Sequence, residues 1–300
     1  MEQNQLNGNA KKGYFFVFLT GVFFSFEVIG FKEIFKKFHL RPEIAAFYGV
    51  AIAALIVTPF FLFNLKRRES LKTTIRNNGK VLLVGTFCNA IGIVMYYYAL
   101  RISDLGPSAV LIKMTVLYNV ILGVAFLKEE MRGFEMIGIL FAILGIILIS
   151  SLDGQIQVTS AIIILISAFF FAIQSYLIKR YIENIDGLAF AYLRILLLSF
   201  FFACYITMNG SWVVLSPVLT FALGLFSLLG YFLGRAFYFE AHNHLPISKL
   251  NSTLLIEPVF LMAIGVLFMH EPLPPKKIMG TVFIMSGLYL LIFHRQRKIK

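Results

Sequence analysis

Runs of roughly 20 apolar residues recur with short breaks from one end of this 300-residue chain to the other. Each run is long enough, at 1.5 Å per residue, to cross a hydrocarbon layer of about 30 Å as a helix. Lipid offers the backbone no hydrogen-bond partners, so a chain built this way spans as helices that satisfy their own amides. Composition agrees. With 59 % hydrophobic and 14 % charged residues, there is far more Phe, Ile and Leu than the interior of a soluble domain could hide.

Hydropathy and breakers predict ten transmembrane helices, near residues 13–31, 42–63, 80–100, 105–127, 133–151, 158–178, 188–208, 217–239, 247–269 and 276–293. Pro42, Pro107, Pro217, Pro246, Pro274 and Pro275 fall at or just inside predicted helix starts, where a missing N–H is harmless. Pro59 and Pro258 fall inside and are expected to kink their helices. The polar first residues ending in Lys11-Lys12 precede the first apolar run, but no small-x-small cleavage site follows it, so it is read as a retained helix. Cys88 and Cys204 both lie within apolar runs, which argues against a disulfide framework.

Lys and Arg collect on one set of loops: Lys11 and Lys12, the stretch from Lys66 to Lys80, Lys128 and Arg132, Lys179 and Arg180, and the C-terminal Arg295 to Lys300. Fewer lie in the alternate set, at Lys32, Lys36, Lys37, Arg41, Arg101, Lys276 and Lys277. The bias predicts a multi-pass protein of the cell (inner) membrane with both termini cytoplasmic. It also accounts for the net charge of +12 without nucleic acid, since no aromatic-basic module accompanies these loops.

The chain is also duplicated. Residues 92–148 align without a gap on 234–290, matching Gly92/Gly234, Tyr96/Tyr238, Ala99/Ala241, Gly123/Gly265, Phe126/Phe268, Glu129/Glu271, Gly138/Gly280, Phe141/Phe283 and Gly145/Gly287. Five helices per copy is an odd number, so residues 13–151 and 158–293 are expected to be repeats of opposite orientation. Inverted repeats that meet near the bilayer midplane are the architecture of many secondary transporters. Thr20 and Glu27 on the first helix are echoed by Ser167 and Gln174 on the sixth, each pair seven apart and so on one face. Asn89 and Tyr96 on the third are echoed by Tyr231 and Tyr238 on the eighth, with Arg235 on the same stripe. Such polar stripes should face protein or water.

In these features the chain resembles the drug/metabolite transporter (DMT) superfamily, EamA type. The resemblance rests on the two five-helix repeats, the glutamates closing the fourth and ninth helices (Lys128-Glu129 and His270-Glu271), the glycine-spaced fifth and tenth, and Glu257-Pro258 in the ninth. It covers essentially the whole chain. The aromatic-glycine pair frequent in the family's first and sixth helices reads Phe24-Ser25 and Phe171-Ala172 here, and the second-helix arginine has a counterpart only in the seventh, Arg194. The resemblance implies an all-α membrane transporter of small solutes, without cofactor.

Charges within spans carry the functional expectation, because a Lys, Arg or Asp at the bilayer centre costs about 2.5–3.5 kcal/mol on insertion scales. Lys113 lies about nine residues into the fourth helix and Glu257 about ten into the ninth, both near the middle of the core. They are expected to border a central cavity or to form a structural ion pair with each other. Glu27 is a candidate proton carrier, since burial raises a carboxyl pKa; it could equally reach Lys32 or Lys36 at the outer surface. Arg194 and Arg235 lie within two turns of the cytoplasmic end, where long side chains snorkel to water. Asn89, Tyr96, Gln174, Tyr231 and Tyr238 could hydrogen-bond a polar solute or act as interhelical glue.

Other chemistry is disfavoured. Glu240, His242 and His244 lack the further ligands a metal needs and read as a wet loop. No HExxH, GxSxG or phosphate-cradling loop occurs. Gly230-x-x-x-Gly234, echoed by Cys88-x-x-x-Gly92, marks close helix packing, and the Gly138/Gly145 and Gly280/Gly287 faces could pack within the chain or form a homodimer. The expected function is secondary transport of a small polar metabolite, an amino acid or related organic ion, with protons as a candidate coupling ion and no enzymatic step. The rivals are a membrane enzyme or carrier for lipid-linked or phosphorylated intermediates, whose phosphates the basic loop from Lys66 to Lys80 would hold, and a non-transporting scaffold.

Overall fold

The structure is a computed structural model that describes residues 2–127, 133–150, 155–181, 186–245, 254 and 257–296. The regular secondary structure of the described residues is all helical, with no strand among them. In order they form α1 (Glu2–Phe38), α2 (Pro42–Leu62), α3 (Leu65–Ile102), α4 (Leu105–Leu111), a 3₁₀ turn (Ile112–Met114), α5 (Thr115–Leu127), α6 (Gly133–Ser150), α7 (Gln155–Tyr181), α8 (Gly187–Met208), α9 (Pro217–Ser227), a π-helical segment (Leu228–Gly234), α10 (Arg235–His242), α11 (Glu257–Met269) and α12 (Pro275–Gln296). Among them, seven helical stretches are long and apolar enough to cross a membrane, and Met136–Leu148 and Glu257–Met269 are shorter apolar helices.

Several expectations change. The basic stretch from Lys66 to Lys80 is the first part of the 38-residue α3, not a loop, because Leu, Lys, Arg and Glu are good helix formers and no proline interrupts them. The predicted fourth helix is broken at Ile112–Met114 by the 3₁₀ turn that carries Lys113. Pro59 lies inside α2; the predicted kink at Pro258 involves residues 255–256, which lie outside the described residues. Glu129, Lys128, Arg132 and Pro246 lie outside the described residues.

The chain divides into two compact units, Met1–Ala90 with Leu177–Pro246 and Ile91–Tyr176 with Ile247–Lys300. Each therefore draws on both halves of the sequence.

In the first unit α1 packs on the π segment and α10, and α2 on α8 and α9. Small residues set the distances. The Phe226 ring covers Gly30, Ile52 covers Gly224, and Ser227 Oγ would be 2.2 Å from a Cβ at Gly49. Phe61 stacks on Tyr192 at 4.3 Å, and Thr58 Oγ1 shares a 2.9 Å hydrogen bond with the Tyr192 hydroxyl. The Phe24 ring fills the space at Gly234, 2.8 Å from where a Cβ would stand.

In the second unit α6 and α12 pack through reciprocal glycines. A Cβ at Gly145 would lie 2.6 Å from the Gly280 carbonyl oxygen, and one at Gly287 would lie 2.5 Å from that of Gly138. The glycine faces thus pack within the chain. The Phe171 ring lies on Gly92, 2.6 Å from a Cβ position, and Ser167 Oγ donates to the Gly92 carbonyl at 2.7 Å. Phe171 and Gly92 are the repeat counterparts of Phe24 and Gly234, so the same aromatic-on-glycine contact is built once in each unit, from opposite halves of the sequence.

Candidate functional site

Each unit holds a buried charged centre among its described residues. In the second unit Lys113 Nζ donates to Glu257 Oε2 at 2.8 Å, with side chains 16 % and 7 % exposed. The 3₁₀ turn delivers the lysine and the first turn of α11 delivers the glutamate. The two residues singled out as intramembrane charges are partners.

The first unit holds Arg194, which has no exposed surface and is among the largest fully buried side chains. It does not snorkel, because its position on α8 points it inward onto α3 and the π segment. Its Nε and Nη2 both donate to Asn89 Oδ1, at 3.1 and 2.5 Å, and Nη1 donates to the Tyr231 carbonyl at 3.3 Å. The guanidinium also lies 5.5 Å from the Tyr231 ring centroid, close enough for cation–π attraction. Asn89 spends its acceptor on Arg194, and its buried Nδ2 has no hydrogen-bond partner. Thr86 Oγ1, one turn earlier on α3, and Ser227 Oγ, one turn before Tyr231, are also buried without partners. An unsatisfied buried donor costs about 1–3 kcal/mol, so such groups call for an explanation.

Glu27 is 9 % exposed and belongs to the same neighbourhood. Its carboxylate occupies the space beside Gly230, where a Cβ would be 1.8 Å from Oε2. Gly230 adjoins Tyr231 in the π segment, so one short irregular stretch holds both the carboxylate and the guanidinium. Segments of this kind are frequent at functional sites.

The remaining candidates are dispersed. Arg235 stands 4.7 Å over the Phe24 ring and 5.9 Å from that of Tyr238, an aromatic seat rather than a free cation at a helix end. Tyr96, 7 % exposed, lies 6.3 Å from the Tyr97 ring, and Gln174 is buried on α7; both belong to the second unit. His244 Nε2 is 3.6 Å from Glu240 Oε1, and the His242 side chain is outside those described.

Two polar contacts were not foreseen. The Glu271 carboxylate caps the start of α4, accepting from Leu105 N at 2.6 Å and Gly106 N at 3.4 Å, where a helix N-terminus favours negative charge. Lys277, expected in an exposed loop, is 2 % exposed, pairs with Asp104 and donates to the Pro272 carbonyl at 2.8 Å. The pairing of Glu271 with Glu129 in the repeat was the available signal for the first; the sequence carries none for the second.

Apolar spans carrying buried ion pairs and polar clusters define a multi-pass helical membrane protein. A family model, the EamA-like transporter family, matches residues 11–151 and again 158–293, and the chain belongs to that family. It is 23 % identical over 92 % of both chains to an uncharacterized transporter of Clostridium kluyveri. It is 24 % identical to the uncharacterized transporter YojE of Bacillus subtilis, over 80 % of each chain. A solved crystal structure superposes with a TM-score of 0.64 over 98 % of this chain and 99 % of that one, at 13 % identity, a likeness of fold. The protein is a membrane transporter, whose cargo class is a small-molecule solute.

Proposed function

We propose that the chain is a secondary active transporter of a small carboxylate-bearing metabolite, an amino acid or related organic ion, working by alternating access in the cell membrane with both termini cytoplasmic. The observation that carries this is the Arg194–Asn89 cluster. A fully buried guanidinium within an apolar helical unit, beside an amide whose donors are unmatched, suits a carboxylate arriving as cargo. Lys113 is the weaker candidate, because it and Glu257 satisfy one another, whereas Asn89 Nδ2 has no hydrogen-bond partner. We assign that pair to holding α4 and α11 together. Glu27, packed on Gly230 beside Tyr231, is the carboxyl that would take and release the coupling proton.

Ten spans in two inverted five-helix repeats, 13–151 and 158–293, complete the proposal. Support comes from the exchanged contacts Phe24–Gly234 and Phe171–Gly92 and from the reciprocal Gly145–Gly280 and Gly287–Gly138 approaches, which an inverted duplication produces in pairs.

A thermal-shift screen of amino acids and organic acids, followed by counterflow of the best binder in proteoliposomes, tests the assignment. Arg194→Lys keeps the charge but loses the fork, and should weaken binding at least about tenfold; Arg194→Gln should weaken it about a hundredfold. Unchanged affinity in the folded lysine variant would overturn the site. Glu27→Gln should retain binding and lose its response to a pH gradient. Absence of counterflow for every binder would instead favour a scaffold, and chemical conversion of the solute an enzyme.

A further inference from the structure

Residues 65–80, the head of α3, hold Lys66, Arg67, Arg68, Lys72, Arg76 and Lys80 against the single acid Glu69. Helix continuity alone would let this segment stand out from the membrane along the axis of the span. Its contacts place it otherwise. The Arg67 guanidinium lies 5.6 Å over the ring of Phe60, in the last turn of α2. Ser70 Oγ donates to Asp186, which also lies 3.8 Å from Arg67 and is the N-cap of α8. Thr74, Asn77 and Asn78 line a cleft of about 440 Å³ with Asp186 and with Asn243, the C-cap of α10. Phe60, Asp186 and Asn243 each mark the end of an apolar stretch: Pro42–Leu62, Gly187–Met208 and Pro217–Ala241. The segment is therefore laid across three helix ends of its own unit, at the level where they leave the hydrocarbon.

That level is the headgroup layer, about 5–7 Å deep on each side of the core. Arg68, Lys72, Arg76 and Lys80 are all exposed and stand four residues apart, so they form one ridge along the helix. Ser70, Thr74 and Asn77, turned toward the helix ends, occupy the opposite face. Like charges at this spacing oppose helix formation, and a topogenic bias in Lys and Arg explains their number but not their alignment. Exposed Phe63, Leu65 and Ile75 border the ridge with apolar surface suited to an acyl boundary.

We propose that residues 65–80 are a docking helix for anionic phospholipid headgroups, with Arg68, Lys72, Arg76 and Lys80 as the phosphate-binding ridge. This does not depend on the cargo or on Arg194. The full-length protein would be reconstituted in phosphatidylcholine vesicles with trace spin-labelled phosphatidylglycerol or phosphatidylcholine, and the motionally restricted fraction of each label read by EPR. The wild type should prefer phosphatidylglycerol about threefold or more at low salt, and molar salt should abolish the preference. Replacing Arg68, Lys72, Arg76 and Lys80 together by Gln should bring it to near parity. The conservative pair Lys72→Arg with Lys80→Arg should retain it, which separates charge from fold. Retention of the preference by the fourfold variant, none in the wild type, or displacement of the label by millimolar inorganic phosphate would each overturn the proposal, the last by pointing to a site for a free anion.

Discussion

In the first unit a guanidinium with no exposed surface is held by an amide oxygen and a backbone carbonyl, and the amide that holds it keeps an unmatched donor. In the second an ammonium and a carboxylate meet at 2.8 Å. Both place charge inside spans, where solvation is lost. The pair in the second unit is complementary as it stands, so adding a ligand would break an existing contact. Asn89 Nδ2 has a hydrogen bond still to make, and the proposed assignment of the solute site to the first unit rests on that difference.

The comparison can be broken most directly in the second unit. Lys113→Met leaves Glu257 buried beside an apolar neighbour and should destabilise the protein by about 3–5 kcal/mol; adding Glu257→Leu should recover most of that loss. Denaturant or thermal unfolding in detergent reads both, and failure of the double variant to recover would assign the pair a role beyond packing. The next largest effect tests the first unit. Asn89→Asp removes the unmatched amide donor and sets a carboxylate against Arg194, so solute affinity should fall about ten- to a hundredfold, measured by binding with unfolding read on the same sample. An affinity unchanged by that swap would remove the distinction between the centres. Smallest is Gly230→Ala, whose methyl collides with the Glu27 carboxylate. It should cost roughly 1 kcal/mol of stability and shift the pH dependence of transport while leaving binding near the wild-type value.

Much of the membrane character was legible, because apolar length and the sign of loop charges are properties of the sequence itself. Depth along a helix was legible too, and it singled out Lys113 and Glu257 as neighbours. What could not be read was the face a residue presents. Arg194 was expected near water from its distance to a helix end, yet α8 turns it onto Asn89 and Tyr231. Lys277 counted as a loop charge and is buried against Asp104. The basic stretch before the third span carried no apolar signal, so hydropathy reads it as a loop although its residues are good helix formers; its capture by Phe60 and Asp186 is tertiary. Thr86 and Ser227 pass unnoticed in sequence, since small hydroxyl residues are common in membrane helices whether or not they are satisfied.

Because Phe24 rests on Gly234 while Phe171 rests on Gly92, neither half of the gene encodes a self-sufficient body. A polypeptide stopped before α7 would present Gly92 with no ring to cover it, and one begun there would leave Phe171 without a seat. Fragments made separately should be degraded unless co-expressed.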